Sequence, residues 1–217
     1  MYVLCACEES QEVCKAFRYN GHFAFSCDIV SCSGGHPEWH IKQDVLPLLN
    51  GFCSFSTCDG SLHFLNHRWD MIIAFPPCTY LSFAGNRWFN TERYGSAAVE
   101  RLEQRKLAID FFMRFVNADC DKICIENPLG VMSTVYRPPD QIIYPYYFGD
   151  PFSKRTCLWL KGLQPLTPTC FCREYDSTWY SDLFSLPSDE RRRLRSKTFP
   201  GVASAMANQF PFTYTLI

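Results

Sequence analysis

Four short apolar runs, "YVLCAC", "HFAFSCDIV", "WDMIIAF" and "KICIENP", punctuate the first half of the chain and a little beyond. Between the first two lies "SQEVCKAFRYNG", whose apolar positions recur at helical spacing and which Gly21 closes. The loop "SCSGGHPEWH" and then "QDVLPLL" lead to the third run. "SAAVERLEQRKLAIDFFMRFVNA" is the longest helical pattern and precedes the fourth. Short buried strands alternating with helices predict an α/β fold built on a doubly wound, mostly parallel sheet. In such sheets ligands bind beyond the carboxyl ends of the strands. Here those ends carry Cys7, Glu8 and Glu9, then Asp28, Cys78 and Glu126. They are the candidate site.

The rest of the chain reads differently. A Pro- and Tyr-rich stretch, "RPPDQIIYPYYFGDPF", is followed by the strand-like "KRTCLWLKGL", the loop "QPLTPTCFCREYD" and the basic run "DERRRLRSK". "FPGVASAMANQF" reads as a closing helix started by Pro200-Gly201. With 217 residues and no internal repeat, one domain spanning 1–217 is expected. A net charge of −1 gives no global nucleic-acid signal, so any polyanion must be bound by a local patch. The apolar stretches are too short to span a bilayer, and "MYVLCACEES" lacks the pattern of a signal peptide. A cytoplasmic chain with no membrane partner is the expectation. Thirteen cysteines are then expected as reduced thiols. Cys5, Cys7, Cys124 and Cys157 sit in apolar runs, where cysteine serves as a small hydrophobe.

Cys78 is the exception to examine. It follows Pro76-Pro77 at the end of a buried run, on a turn that two prolines stiffen. Such a thiol suits a pre-organised nucleophile, and equally a structural cysteine in a proline turn. Glu126 adds chemistry. A carboxyl group at the end of "KICI" must be paired or kept protonated. A protonated carboxyl can donate a hydrogen bond to a ring nitrogen. A thiolate opposite such an acid suits attack on C6 of a pyrimidine, which activates C5 toward an electrophile.

"FPPCTYLS" resembles the Pro-Cys catalytic motif of the cytosine-C5 DNA methyltransferases, and "IENP" resembles their Glu-Asn-Val motif. "FSKRTCLWL" is similar to the family's arginine-bearing strand, and "KTFPGVASAMANQF" to its closing helix. The segments occur in the family's order over most of the chain. The resemblance implies a Rossmann-like methyltransferase fold, S-adenosylmethionine as cofactor, DNA as substrate and a cytosine flipped from the duplex. It implies Cys78 as nucleophile, Glu126 on the cytosine N3 and amino edge, and Arg155 holding the base. Cofactor contacts would come from Ala6, Cys7, Glu8, Glu9, Asp28, Asp44, Pro76 and Ala203. Substrate contacts would come from Pro77, Asn127, Lys154 and the loop residues Arg87 and Arg93.

Three departures accompany it. The first loop reads "CACEES" where the family carries glycines, and Ser153-Lys154 stand where it shows glutamine. Only residues 160–198 occupy the place of a target-recognition region, so specificity is expected to be low or supplied by a protein partner. The alternatives left open are another pyrimidine substrate (a nucleotide or single strand), another transferred group, and a non-catalytic nucleic-acid-binding or decoy descendant. Arg191, Arg192, Arg193, Arg195 and Lys197 form either a solvated face or a phosphate patch. His36, His40 and several cysteines lack the paired spacing of a structural zinc site, so no metal is expected.

Overall fold

Val3, Leu4, Cys5 and Ala6 are wholly excluded from solvent, and a strand with no exposed face belongs at the centre of a sheet. The computed structural model, which describes residues 1–178 and 182–212, has this strand there. β1 (Tyr2–Ala6) pairs in parallel with β2 (Phe23–Asp28) on one side and β6 (Met71–Ala74) on the other. β3 (His40–Lys42) extends the sheet beyond β2, and β7 (Ile123–Asn127) extends it beyond β6, both in parallel. β9 (Thr156–Lys161) then runs antiparallel to β7, and β8 (Gln141–Ile143) forms the far edge, antiparallel to β9. The order is β3-β2-β1-β6-β7-β9-β8. The fold is thus α/β with a mostly parallel seven-stranded sheet, compatible with a Rossmann-like architecture.

Alternation along the strands divides the core. Leu4, Ile72, Ile123 and Trp159 face α2 (Thr91–Val116) and the short α3 (Met132–Val135), where Phe112, Phe115 and Met132 cover them. Val3, Ile73, Cys124 and Leu158 face α1 (Glu12–Tyr19) and α5 (Pro200–Gln209), against Phe17, Val202 and Met206. Large side chains buried in this way stabilise the fold by about 1.5–3 kcal/mol each. Gly95 breaks the helical geometry of α2 (φ 52°, ψ −129°), so the regular helix begins at Ser96, as its sequence pattern predicts. A separate antiparallel hairpin, β4 (Cys53–Ser56) and β5 (Leu62–Leu65), packs Phe55 and Leu65 into the α2 side of the core. The basic run forms α4 (Ser188–Ser196). Residues 179–181 of the 160–198 insert and the Arg192 side chain lie outside what is described. All thirteen cysteines are free; Cys5, Cys124 and Cys157 are core residues, whereas Cys7 is half-buried. Among the described residues no helix is long and apolar enough to cross a membrane.

Candidate active site

The carboxyl ends of β1 and β6 lie side by side, with Ala6 opposite Ala74, and connections leave them toward opposite faces of the sheet. That divergence opens the crevice in which doubly wound proteins bind ligands. β6 runs out through Phe75, Pro76 and Pro77 to Cys78. The Cys78 carbonyl accepts from the Leu81 and Ser82 amides at 3.1 and 2.9 Å, closing a tight turn around the residue. From β7, the Asn127 Nδ2 donates to the Pro76 carbonyl at 2.7 Å. This bond ties the two strand ends together. Pro76 is buried, Pro77 exposed and Cys78 half-buried.

Asn127→Ala should therefore destabilise the protein by about 1–3 kcal/mol, the cost of leaving a buried acceptor without its donor. Chemical denaturation measures this, and Cys78 alkylation in the native state should accelerate as the turn loosens.

Glu126 sits one residue before Asn127 on the α5 side of the sheet. Burial raises its carboxyl pKa above the ordinary value, opposed by the Lys154 ammonium and a hydrogen bond from the Thr156 hydroxyl. Burial also raises the Cys78 thiol pKa, as does the Glu126 charge, while Lys154 and Arg195 lower it. Cys78, Glu126 and Lys154 thus act on one another electrostatically. Lys154 Nζ donates to the Arg195 carbonyl at 2.9 Å, so α4 anchors the ammonium. Thr198, Phe199 and Val202 close the small recess that Glu126, Lys154 and Thr156 line. Arg155 lies between Lys154 and Thr156 in sequence, is exposed, and exerts its charge on Cys157. The cation beside Glu126 is Lys154.

At the opposite end of the crevice, Cys7 has φ 59°, the left-handed conformation that glycine adopts without strain. Glu8 turns inward and is 4 % exposed. It accepts from the Val13 and Cys14 amides at 2.6 and 3.1 Å, satisfying the amino end of α1. Glu9 is half-exposed, yet its Oε1 is buried without a partner. Asp28 ends β2, with its carboxyl pKa raised by burial, and accepts from the Val30 amide. Asp44 is exposed and receives the Leu46 amide. The charges of Asp28 and Asp44 both act on the Cys7 thiol, so the two carboxylates share this end of the crevice. Ala203 is buried in the core on the α1 side.

Burial raises the Glu8 carboxyl to about 8 despite its two backbone donors. The sign follows from linkage. The folded state holds the proton more tightly than the unfolded state, so stability is greatest below the unfolded value near 4.5 and declines as pH rises through about 8. Thermal melting of the wild type should fall between pH 5 and pH 8, and Glu8→Gln should flatten that slope.

The segment after Cys78 carries Arg87 and, in the first turn of α2, Arg93, both exposed, each resting on its neighbouring ring, Trp88 and Tyr94. Two residues that sequence reasoning passes over hold this segment. Arg105 donates to the Tyr80 carbonyl at 2.8 Å and to Asn86 at 2.7 Å, and lies 3.4 Å from the Phe89 ring centroid. Arg101 stacks over Tyr80 and Phe89. Their four-residue spacing on α2 is the signal that could have found them. Among the described residues no cluster of His, Cys, Asp and Glu could hold a metal ion. His40 is buried, its ring nitrogens engaged with Ser26 and the Val30 carbonyl, and His36 stacks on Trp39. In comparisons with known proteins, no family model matches the chain and no curated protein matches it significantly.

Proposed function

We propose that the chain is a DNA cytosine-C5 methyltransferase with a Rossmann-like methyltransferase fold, using S-adenosylmethionine and Cys78 as nucleophile. The observation that carries this reading is the grouping of the half-buried Cys78 thiol, the Glu126 carboxyl and the Lys154 ammonium at the ends of adjacent strands. A carboxyl group whose pKa burial raises holds its proton more tightly than an exposed one, and in the protonated form it can donate to the N3 of a cytosine. That withdrawal of electrons favours attack at C6. The Cys78 sulfur pair forms the bond to C6 as the C5–C6 π pair moves to C5. After C5 has reacted, water takes its proton, the C5–H pair re-forms the C5–C6 double bond as the C6–S pair returns to sulfur as thiolate, and N3 gives its proton back to Glu126. Asn127 presents a buried Oδ1 without a partner, an acceptor suited to a polar ligand.

The crevice residues fit the cofactor. The unpartnered Glu9 Oε1, with Asp28 and Asp44, offers acceptors for hydroxyl and ammonium groups. The exposed apolar side chains of Ile29 and Val30 adjoin Asp28 and suit the face of a flat ring. Cys7 in a left-handed conformation allows the chain to turn where a glycine is expected. When bound, S-adenosylmethionine supplies an electrophilic methyl group. Arg87 and Arg93, both exposed, would contact phosphates, and a protein partner would supply the recognition that residues 160–198 are too few to provide.

The test is intact-mass analysis of the protein mixed with S-adenosylmethionine and DNA containing 5-fluorocytosine, in single- and double-stranded form. The fluorine cannot leave as a proton would, so the expected result is a trapped covalent adduct carrying one methyl group. No adduct with either form would overturn the reading. An adduct of another mass would retain the nucleophile and reassign the transferred group.

A further inference from the structure

β3 pairs with β2 only from Ser26 onward, which leaves the edge beside Phe23–Phe25 without a neighbouring strand. The hairpin β4–β5 does not join the sheet there. Instead a cavity of about 390 Å³ lies between them, near the amino ends of the strands and away from Cys78. Its size is that of a small-ligand site.

Much of the lining is aromatic. Phe25 is common to the core and the cavity, Phe55 and His63 approach it from the hairpin, Tyr2 and Phe23 stack on one another, and Trp39 completes the set of rings. Phe64 lines the cavity and is 75 % exposed, so its ring is open to a ligand. Polar groups of both kinds join these rings. The Arg18 guanidinium lies 4.6 Å from the Phe25 ring centroid and 5.2 Å from that of Trp39. Its Nε donates to the Ala24 carbonyl at 2.6 Å, and no ion pair of Arg18 occurs among the described residues. The carboxylates of Glu38 and Asp59 also line the cavity. Glu38 pairs with His36 at 2.9 Å, and Asp59 accepts from Thr57 and Ser61, but a carboxylate has room for further donors.

An aromatic-lined cavity with a cationic donor and carboxylate acceptors fits a flat heterocycle that carries both acceptor and donor atoms on its edge. Nucleobases have that edge, and aromatic rings with arginine bind them by stacking. We propose that this cavity binds a single nucleobase, stacked on the exposed Phe64 ring, with its acceptor edge toward Arg18 and its amino or ring N–H toward Glu38 or Asp59. The site is separate from the Cys78 crevice and does not depend on methyl transfer.

Calorimetric titration of the full chain with each nucleoside 5′-monophosphate, and with six-nucleotide single strands, tests this. Saturable binding is expected in at least one arm, weakened fivefold or more by Phe64→Ala and by Glu38→Gln, and unchanged by Glu126→Gln. Saturation by monophosphates identifies a free nucleotide as the source of the base. Saturation by strands alone identifies an unstacked residue of a strand. Three results would overturn the proposal: no saturable binding in either arm, binding lost in Glu126→Gln but retained in Phe64→Ala, or equal affinity for indole, which lacks the acceptor edge.

Discussion

Cys78→Ser should lower methyl transfer to cytosine in DNA by at least about 10³-fold and eliminate the 5-fluorocytosine adduct, while folding and cofactor affinity stay near wild type. The size of the effect comes from the nucleophile itself. A thiol reaches its anion a few units above neutrality, whereas a serine hydroxyl needs a general base, and among the described residues the side chains that act on the Cys78 thiol are Glu126, Lys154 and Arg195, none of them a histidine. A loss of this size corresponds to about 4 kcal/mol of transition-state stabilisation. Folding should be spared, because the turn is held by the backbone amides of Leu81 and Ser82 and by Asn127, none of which uses the sulfur. Single-turnover measurements with labelled cofactor provide the rate, and calorimetry the cofactor affinity. An unchanged rate in the serine variant would remove Cys78 from the chemistry. A wild type that transfers nothing, with DNA affinity equal in both forms, would identify a binding protein that keeps the fold.

Four of the five parallel strands are legible in the sequence because each is a short, continuous apolar run ended by a polar or proline residue, whereas β3, the three residues His40–Lys42 at the end of a segment that reads as a loop, is not. The start of the regular α2 helix is legible for a similar reason, since Gly95 separates a polar segment from a periodic one. The reversal of β9 is not legible: "TCLWLK" is apolar whichever way it runs, and direction is set by the connection from β8. The hairpin offered a signal that the apolar-run reading passes over. Asp59-Gly60 stands between two alternating segments, and Gly60 has φ 88°. At the site, strand ends point to Cys78 and Glu126 without help from the structure. The inward turn of Glu8 depends on where the first amides of α1 fall, which no local pattern in "CACEES" encodes.

The choice between Lys154 and Arg155 has the same origin, and it leads to the second large effect. From Cys157 to Leu160 the strand is buried on both faces, so there is no polar alternation to reveal which of the two preceding cations faces Glu126. In the fold it is Lys154, two residues before Thr156 and on the same side as Glu126. Lys154→Met should reduce turnover on the order of 10- to 100-fold, the loss expected for one charge-assisted interaction with the reacting group or its partner. Arg155→Met should change turnover less, through DNA affinity alone.

The pH dependence separates this role from a structural one. Lys154 favours the Cys78 thiolate and Glu126 opposes it, so the two substitutions must move the thiol titration in opposite directions. Alkylation of Cys78 by iodoacetamide, followed by peptide mass mapping, should rise with pH in every variant. Relative to wild type, its inflection should lie at higher pH in Lys154→Met and at lower pH in Glu126→Gln. Glu126→Gln should nevertheless lose about 10²- to 10⁴-fold in turnover despite its more reactive thiol, because the amide cannot supply a proton to the base. A variant that gains thiol reactivity and loses catalysis can be explained only if the carboxyl acts on the substrate and not through the sulfur. If the two inflections moved the same way, the electrostatic triangle of Cys78, Glu126 and Lys154 would be wrong, whatever became of the nucleophile.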